Sequence, residues 1–195
     1  MSKNKVTFGF KNVHIAFMDP ESETQPAWET PTKIPGAVSF SPSPEGGKNT
    51  FYADDMAYYV TTANNGYTAD LTMANLPDEI LARMLGWEID DNGMLVEVAD
   101  GKPEKFALMG EVSGDARNRR FVYYDLQANR PTKEKQTKTE TVEPNTDVLP
   151  VIVSPIEIDK KMIVKGDMEL NDTNKVAFDG FFESVYTPTF DTPEV

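Results

Sequence analysis

The stretch from Phe51 to Gly86, reading FYADDMAYYVTTANNGYTADLTMANLPDEILARMLG, constrains the fold more than any other part of the chain. Tyr67, Ala69, Leu71 and Met73 alternate with Thr68, Asp70, Thr72 and Ala74. This period of two is what a strand with one buried face requires. Asn65-Gly66 precedes the run and tolerates the positive φ angles of a tight turn. Met56 to Thr62 is rich in Tyr, Val and Thr, which favour strands. The sequence therefore predicts a hairpin in which these two strands meet at Asn64-Asn65-Gly66. Pro77 then stands at a helix start, with Asp78 and Glu79 near its positive end. Leu76, Ile80, Leu81, Met84 and Leu85 form one apolar stripe, and Gly86 is a natural stop, so a helix is expected over about 77–86.

The rest of the chain reads as short strands between turn signals. Val6, Phe8 and Phe10, then Val13, Ile15 and Phe17, are alternating sets broken at Lys11-Asn12, either one strand with an irregularity or a tight hairpin. Asp19 to Pro35 carries four prolines and reads as a loop; Ala37 to Phe40 is a short strand candidate. Ser41 to Asn49, SPSPEGGKN, reads as a second flexible loop. Asp91-Asn92-Gly93 predicts a turn between Trp87–Asp90 and Met94–Val98. The segment from Gly114 to Arg119 predicts another between Lys105–Val112 and Phe121–Gln127. Arg130 to Asn145 is dense in Lys, Thr and Glu, an exposed loop or a twisted edge segment. Asp147 to Ser154 reads as a strand in which Pro150 argues for an edge position or a bulge. Val176 to Tyr186 is a candidate short C-terminal helix weakened by Gly180, and the tail after Pro188 is expected to be loose. Together these predict an antiparallel sandwich or barrel with a flanking helix.

Composition narrows the function classes. A chain of 195 residues is sufficient for one full core, and it has no cysteine, which excludes disulfides and thiolate metal sites. No signal peptide is expected, since Lys11 and His14 interrupt the residues after the basic start, and Val148 to Val153 is far too short to span a bilayer. The formal net charge of −13 disfavours a grip on nucleic acid, which needs Lys and Arg to displace counterions. Such a charge suits solubility, repulsion of DNA or imitation of it.

Catalytic patterns are missing, and the chain is read as a non-enzyme with no cofactor and no metal. His14 is the one histidine, and no Ser lies in a Gly-x-Ser-x-Gly elbow. Gly46-Gly47-Lys48-Asn49-Thr50 fails as a phosphate loop, because Pro42 occupies the first Gly position and Asn49 follows the Lys. Asp90-Asp91-Asn92-Gly93 fails as a calcium loop, because its Gly comes too early. Asp54 and Asp55, as neighbours on a strand, would point to opposite faces. Tyr58, Tyr59, Tyr123 and Tyr124 lie in strand patterns without a surrounding basic patch, which favours core and subunit contacts over base stacking.

A resemblance runs along most of the chain. Its marks are Lys5-Val6-Thr7-Phe8-Gly9-Phe10-Lys11-Asn12-Val13-His14, Ile34-Pro35-Gly36-Ala37-Val38, Phe51-Tyr52-Ala53-Asp54, Asn64-Asn65-Gly66-Tyr67 and Leu76-Pro77-Asp78-Glu79 through Leu85-Gly86. They continue with Lys105-Phe106-Ala107-Leu108, Asn129-Arg130-Pro131 and Phe178-Asp179-Gly180-Phe181-Phe182-Glu183-Ser184-Val185-Tyr186. In order and spacing these resemble the major tail proteins of long-tailed phages and prophages of Gram-positive bacteria, the tail tube family. The resemblance implies a mainly β, sandwich or barrel-like tail tube fold with one flanking helix. It also implies a single domain over 1–195, with an N-terminal arm, a C-terminal extension from about 156 and no separate immunoglobulin-like domain.

The function implied is that of a structural virion protein, in hexameric rings stacked into a hollow tube. Its implied partners are further copies of itself, a tape-measure protein, the tail terminator and distal tail or baseplate proteins. DNA would pass through the lumen without specific binding, and assembly would take place in the host cytoplasm, with no membrane involved. Asp70 and Asp125 are the candidate lumen acids. Ser41, Glu45, Lys48, Lys133, Lys135 and Glu140 mark candidate ring-stacking loops, and Phe181, Phe182 and Tyr186 candidate subunit contacts. Two other classes compete: an acidic DNA mimic, against which Lys133-Glu134-Lys135 counts by mixing the charges, and a carbohydrate-binding sandwich, for which Trp28 would be the platform.

Overall fold

The computed structural model describes residues 9–22, 25–53, 56–115, 117–131 and 146–190; for residues 48–53, 57, 58, 60 and 61 it describes the backbone alone. The elements in chain order begin with strands β1 (Phe10–Phe17), β2 (Thr32–Lys33), β3 (Ala37–Glu45), β4 (Lys48–Ala53), β5 (Met56–Thr62) and β6 (Gly66–Met73). Helix α1 (Asp78–Leu85), the small hairpin β7 (Glu88–Ile89) and β8 (Leu95–Val96), then β9 (Phe106–Val112), β10 (Arg120–Ala128) and β11 (Asp147–Val153) follow. The chain closes with β12 (Ile156–Ile158), β13 (Lys161–Ile163), β14 (Lys165–Met168), helix α2 (Lys175–Asp179) and a 3-10 turn at Gly180–Phe182.

The main sheet runs β2–β1–β9–β10–β11–β6–β3, with β14 also paired to β10, and every pairing is antiparallel. β1 and β3, far apart in that order, come back into contact, so the sheet curls toward a barrel. The inner face gathers Val13, Ile15 and Phe17 of β1, Leu71 and Met73 of β6, Phe106 and Leu108 of β9, and Leu149, Val151 and Val153 of β11. Helix α1 adds Leu81, Met84 and Leu85 to this core. Its bounds follow the sequence signals: Pro77 precedes it, Asp78 and Glu79 occupy the first turn, and Gly86 ends it at φ 68°. Arg83 fastens the helix from outside. Its guanidinium hydrogen-bonds both Glu29 and Glu104 and lies 3.8 Å above the Phe17 ring.

Two bulges let strands serve the core. Along β1, three steps from Lys11 to His14 oppose two steps on β9, with Asn12 at φ 56°. Of the two readings of Lys11-Asn12, one irregular strand is the correct one. Along β10, three steps from Tyr123 to Leu126 oppose two from Leu108 to Phe106. The extra residue restores the facing, so Phe121, Tyr123, Leu126 and Ala128 all reach the inner core.

Four expectations need correction. β5 and β6 do not form a hairpin around Asn64-Asn65-Gly66. β6 lies between β3 and β11, while β5 pairs with β4, so β3–β4 and β5–β6 form the two sides of one long ribbon. Gly66 does take a positive φ, 96°, but it uses it where the ribbon joins the sheet; a Cβ there would sit 1.9 Å from the Val153 carbonyl oxygen. Second, Ser41 to Asn49 is not a loop through most of its length, because β3 continues to Glu45 and β4 begins at Lys48. Third, the 19–35 loop holds β2 and the Met18↔Trp28 bridge. Fourth, Pro150 lies in an interior strand without a bulge. Its pair with Asp70 must be of the type without direct exchange of hydrogen bonds, so its nitrogen faces β10. The β10 ladder has ended there at Ala128↔Val151, and only Asn129 N–H reaches the Pro150 carbonyl, at 2.8 Å. The hairpins β7–β8 and β9–β10 and the C-terminal helical turn stand where the sequence puts them, although α2 ends at Asp179.

Replacing Gly66 with Ala imposes both a disfavoured φ and a backbone collision. We expect a loss of at least about 1–3 kcal/mol in unfolding free energy, read from the urea midpoint at unchanged slope.

Candidate assembly surfaces

Three surfaces stand out once the core is accounted for. The first is the β4–β5 ribbon. Its pairing runs from Lys48↔Thr62 to Ala53↔Met56, and among the described residues no third strand joins it. Two-stranded ribbons are marginal in water without a third strand or a covering layer. Here Met56 is 71% and Tyr59 61% exposed. Large apolar groups held out on a bare ribbon are what a contact surface requires.

The second surface is the face of β3, β6 and β11 that points away from the inner core. Register places Ser39, Thr72 and Val148 in one row, Ser41, Asp70 and Pro150 in the next, and Ser43, Thr68 and Ile152 in a third. Val148 and Ile152 are exposed, as is Asp70. These rows contain one acid and no Lys or Arg. At the end of β3, Glu45 accepts a hydrogen bond from the Thr68 hydroxyl at 3.0 Å.

The third is the outer face of β1, β9 and β10, and here the C-terminal segment provides the cover. Met109, Val122, Tyr124, Ile158 and Phe181 form a second core, with Trp28, Phe182 and Tyr186 packed against it. Tyr124 donates its hydroxyl to the Tyr186 carbonyl at 3.0 Å, and burial pushes the Tyr124 phenol up from its ordinary value. Arg120 lies 4.0 Å above the Phe178 ring and 4.8 Å above that of Phe182, donates to the Phe178 carbonyl and has Glu111 at 3.5 Å. His14 stacks on Phe182 with centroids 4.5 Å apart, and its Nδ1 is 3.0 Å from the Asn12 carbonyl.

The candidate residues fall into different environments. Asp70 is exposed on the polar sheet face. Asp125 is buried at 4%, in the β10 bulge, with Lys105 Nζ at 2.7 Å from its carboxylate, so its charge is matched inside the chain. Ser41 and Glu45 lie on β3, and Lys48 opens β4. Lys133, Lys135, Glu140 and the Asp54-Asp55 pair lie outside the described residues. Phe181 is buried in this chain's own second core, with Phe182 and Tyr186 half-buried beside it. Trp28 offers no open platform, since its indole N–H donates to the Tyr124 carbonyl at 3.2 Å and its ring meets that of Tyr124. Sequence reasoning missed Met56, whose exposure depends on β5 turning back on β4 rather than onto β6. Among the described residues no group of three or more His, Asp or Glu side chains is arranged to hold a metal, and no helix is long and apolar enough to cross a membrane.

Against known proteins, the sequence model of the phage tail tube protein family matches residues 1–189. The chain belongs to that family. Its role is structural, in the tail of a bacteriophage virion. No curated protein matches this tail tube protein at a significant level. Among solved structures, a chain from an extracellular contractile injection system, the PVC sheath-tube complex in its extended state, is similar at 6% identity with a TM-score of 0.46. The likeness covers 85% of the tail tube protein and 94% of that chain.

Burial holds the His14 imidazole below its ordinary value of 6.5, with the Asn12 carbonyl opposing the shift, Lys33 and Arg120 adding to it and Glu111 counteracting it. A group whose folded value is lowered binds its proton first in the unfolded chain, so stability falls as pH drops through and below 6.5. Thermal melts between pH 7.5 and 5 should show this slope, and His14→Phe, which keeps a ring against Phe182, should reduce it.

Proposed function

We propose that this tail tube protein self-assembles into closed rings, hexameric as its resemblance implies, which stack into a hollow tube. The observation that carries the reading is the β4–β5 ribbon, in which Met56 and Tyr59 of β5 are exposed and no described element joins or covers the two strands. A second copy would supply a covering layer. A head-to-tail contact that closes gives a ring, and repetition along the axis gives a tube. Ser41, Glu45 and Lys48 adjoin the ribbon's base and serve the stacking contact, together with Lys133, Lys135 and Glu140. Phe182 and Tyr186, half-buried at the edge of the second core, remain candidates for a flanking contact, with Phe181 as their support.

The sheet face with Asp70 suits the lumen. Its three rows carry hydroxyls, apolar groups and the Asp70 carboxylate, with Glu45 bonded to Thr68 beside them, and no cation for a phosphate to grip. At physiological ionic strength, repulsion from such acids reaches about 8 Å, and six copies would repeat it around the bore. Asp125 is left out of this role because its charge is already paired with Lys105. In this reading the tube encloses a tape-measure protein, joins the terminator and distal tail proteins at its two ends, is assembled in the host cytoplasm and later conducts DNA. The protein is read as one domain, in which residues from about 156 onward cover the outer face of the sheet.

Negative-stain electron microscopy of concentrated purified protein should show hollow tubes of uniform width. M56D/Y59D should leave a folded chain that forms none; tubes of normal length from that variant would remove the ribbon from the contact. Asp70→Lys should still assemble, but its tubes should retain DNA at low salt and release it as salt rises, whereas wild-type tubes retain none.

A further inference from the structure

Pro42 and Pro44 lie two residues apart on β3, at one end of the sheet order. Both are in register pairs with β6, Pro42↔Ala69 and Pro44↔Tyr67. Proline has no N–H, so neither pair can exchange both hydrogen bonds directly. In the alternative pair type, the residue's own nitrogen and carbonyl point away from the partner strand. Glu45 shows the complementary orientation, because its carbonyl accepts the Asn65 N–H at 2.9 Å on the β6 side. Ser41, Ser43 and Glu45 therefore hold β6, while Pro42 and Pro44 turn toward the edge that no described strand covers and at those two positions leave it acceptors without donors.

The far end of the sheet is covered in another way. Lys33 and Thr32 pair with His14 and Ile15, and the N–H groups of Glu29 and Ile34 donate to the Phe17 and Val13 carbonyls. The ribbon differs from both, since neither β4 nor β5 contains a proline.

We infer that Pro42 and Pro44 close the β3 edge to strand addition by a second copy, which leaves the ribbon as the pairing-competent segment. An incoming strand would need two N–H donors that β3 does not have, so free chains do not join edge to edge at this end of the sheet. The inference rests on the assembly reading only for the ribbon's part in tube contacts; the closed edge is a property of the single chain.

The test compares wild type, P42T/P44T and S41T/S43T below the concentration at which tubes form. Both variants raise strand propensity, but only the first restores donors on the open edge. Light scattering should show several-fold faster association for P42T/P44T into non-tubular material that binds an amyloid dye, with S41T/S43T at the wild-type rate. Hydrogen exchange by NMR should find the new amides at 42 and 44 unprotected in the monomer. Wild-type association by P42T/P44T, equal acceleration by S41T/S43T, or protected new amides would each overturn the inference. Pro44 is solvent-exposed, so P44T alone provides the same comparison if the double variant misfolds. Absence of wild-type tubes at any concentration would count against the assembly reading, while accelerated association of P42T/P44T would still support the closed edge.

Discussion

Strand β10 has to satisfy two apolar layers at once, and the rest of the structure follows from how it does so. Phe121 and Tyr123 face the barrel interior while Val122 and Tyr124 face the C-terminal segment. Strict alternation would then aim Leu126 and Ala128 outward. The bulge between Tyr123 and Leu126 turns them back into the inner core. It also places Asp125 within reach of Lys105, a pairing that a buried carboxylate needs. β1 repeats the device at Asn12, so neighbouring strands stay matched across the sheet.

The polar groups that accompany these two layers act mostly as fasteners. Arg83 joins α1 to Glu29 and Glu104, and Arg120 joins β10 to α2 through two rings and a carbonyl. Arginine suits both places, because a planar guanidinium can stack and hydrogen-bond together. Glu29, Glu104 and Glu111 are thereby engaged within the chain, whereas Asp70 stands on a face without such a partner in its row.

Local signals were legible in the sequence, and non-local pairings were not. Helix α1 was readable to its caps, because Pro77, Asp78, Glu79 and Gly86 act within one turn of the element they bound. The hairpin β9–β10 was readable from two alternating runs around one turn. Asn65-Gly66 announced a positive φ correctly, but positive φ serves a ribbon junction as well as a hairpin, and the choice depends on Val153, a residue far away in the chain. Prolines gave the other misreadings. Pro42 and Pro44 suggested a loop and Pro150 an edge, whereas the actual requirement is only that proline's nitrogen face no donor-seeking neighbour. The polar face around Asp70 was half visible as alternation; its rows emerge only when β3, β6 and β11 are brought into register.

The second core has a consequence for the order of events at the ribosome. β1 is made long before the segment that covers its outer face, which carries Phe182. β9 and β10 must likewise wait for Phe181 and Tyr186. Chains emerge N-terminus first, so the barrel's inner layer can close while its outer side still faces solvent. A ribosome that stalls before α2 would release a particle with a complete interior and an unroofed aromatic flank, the kind of intermediate that chaperones hold.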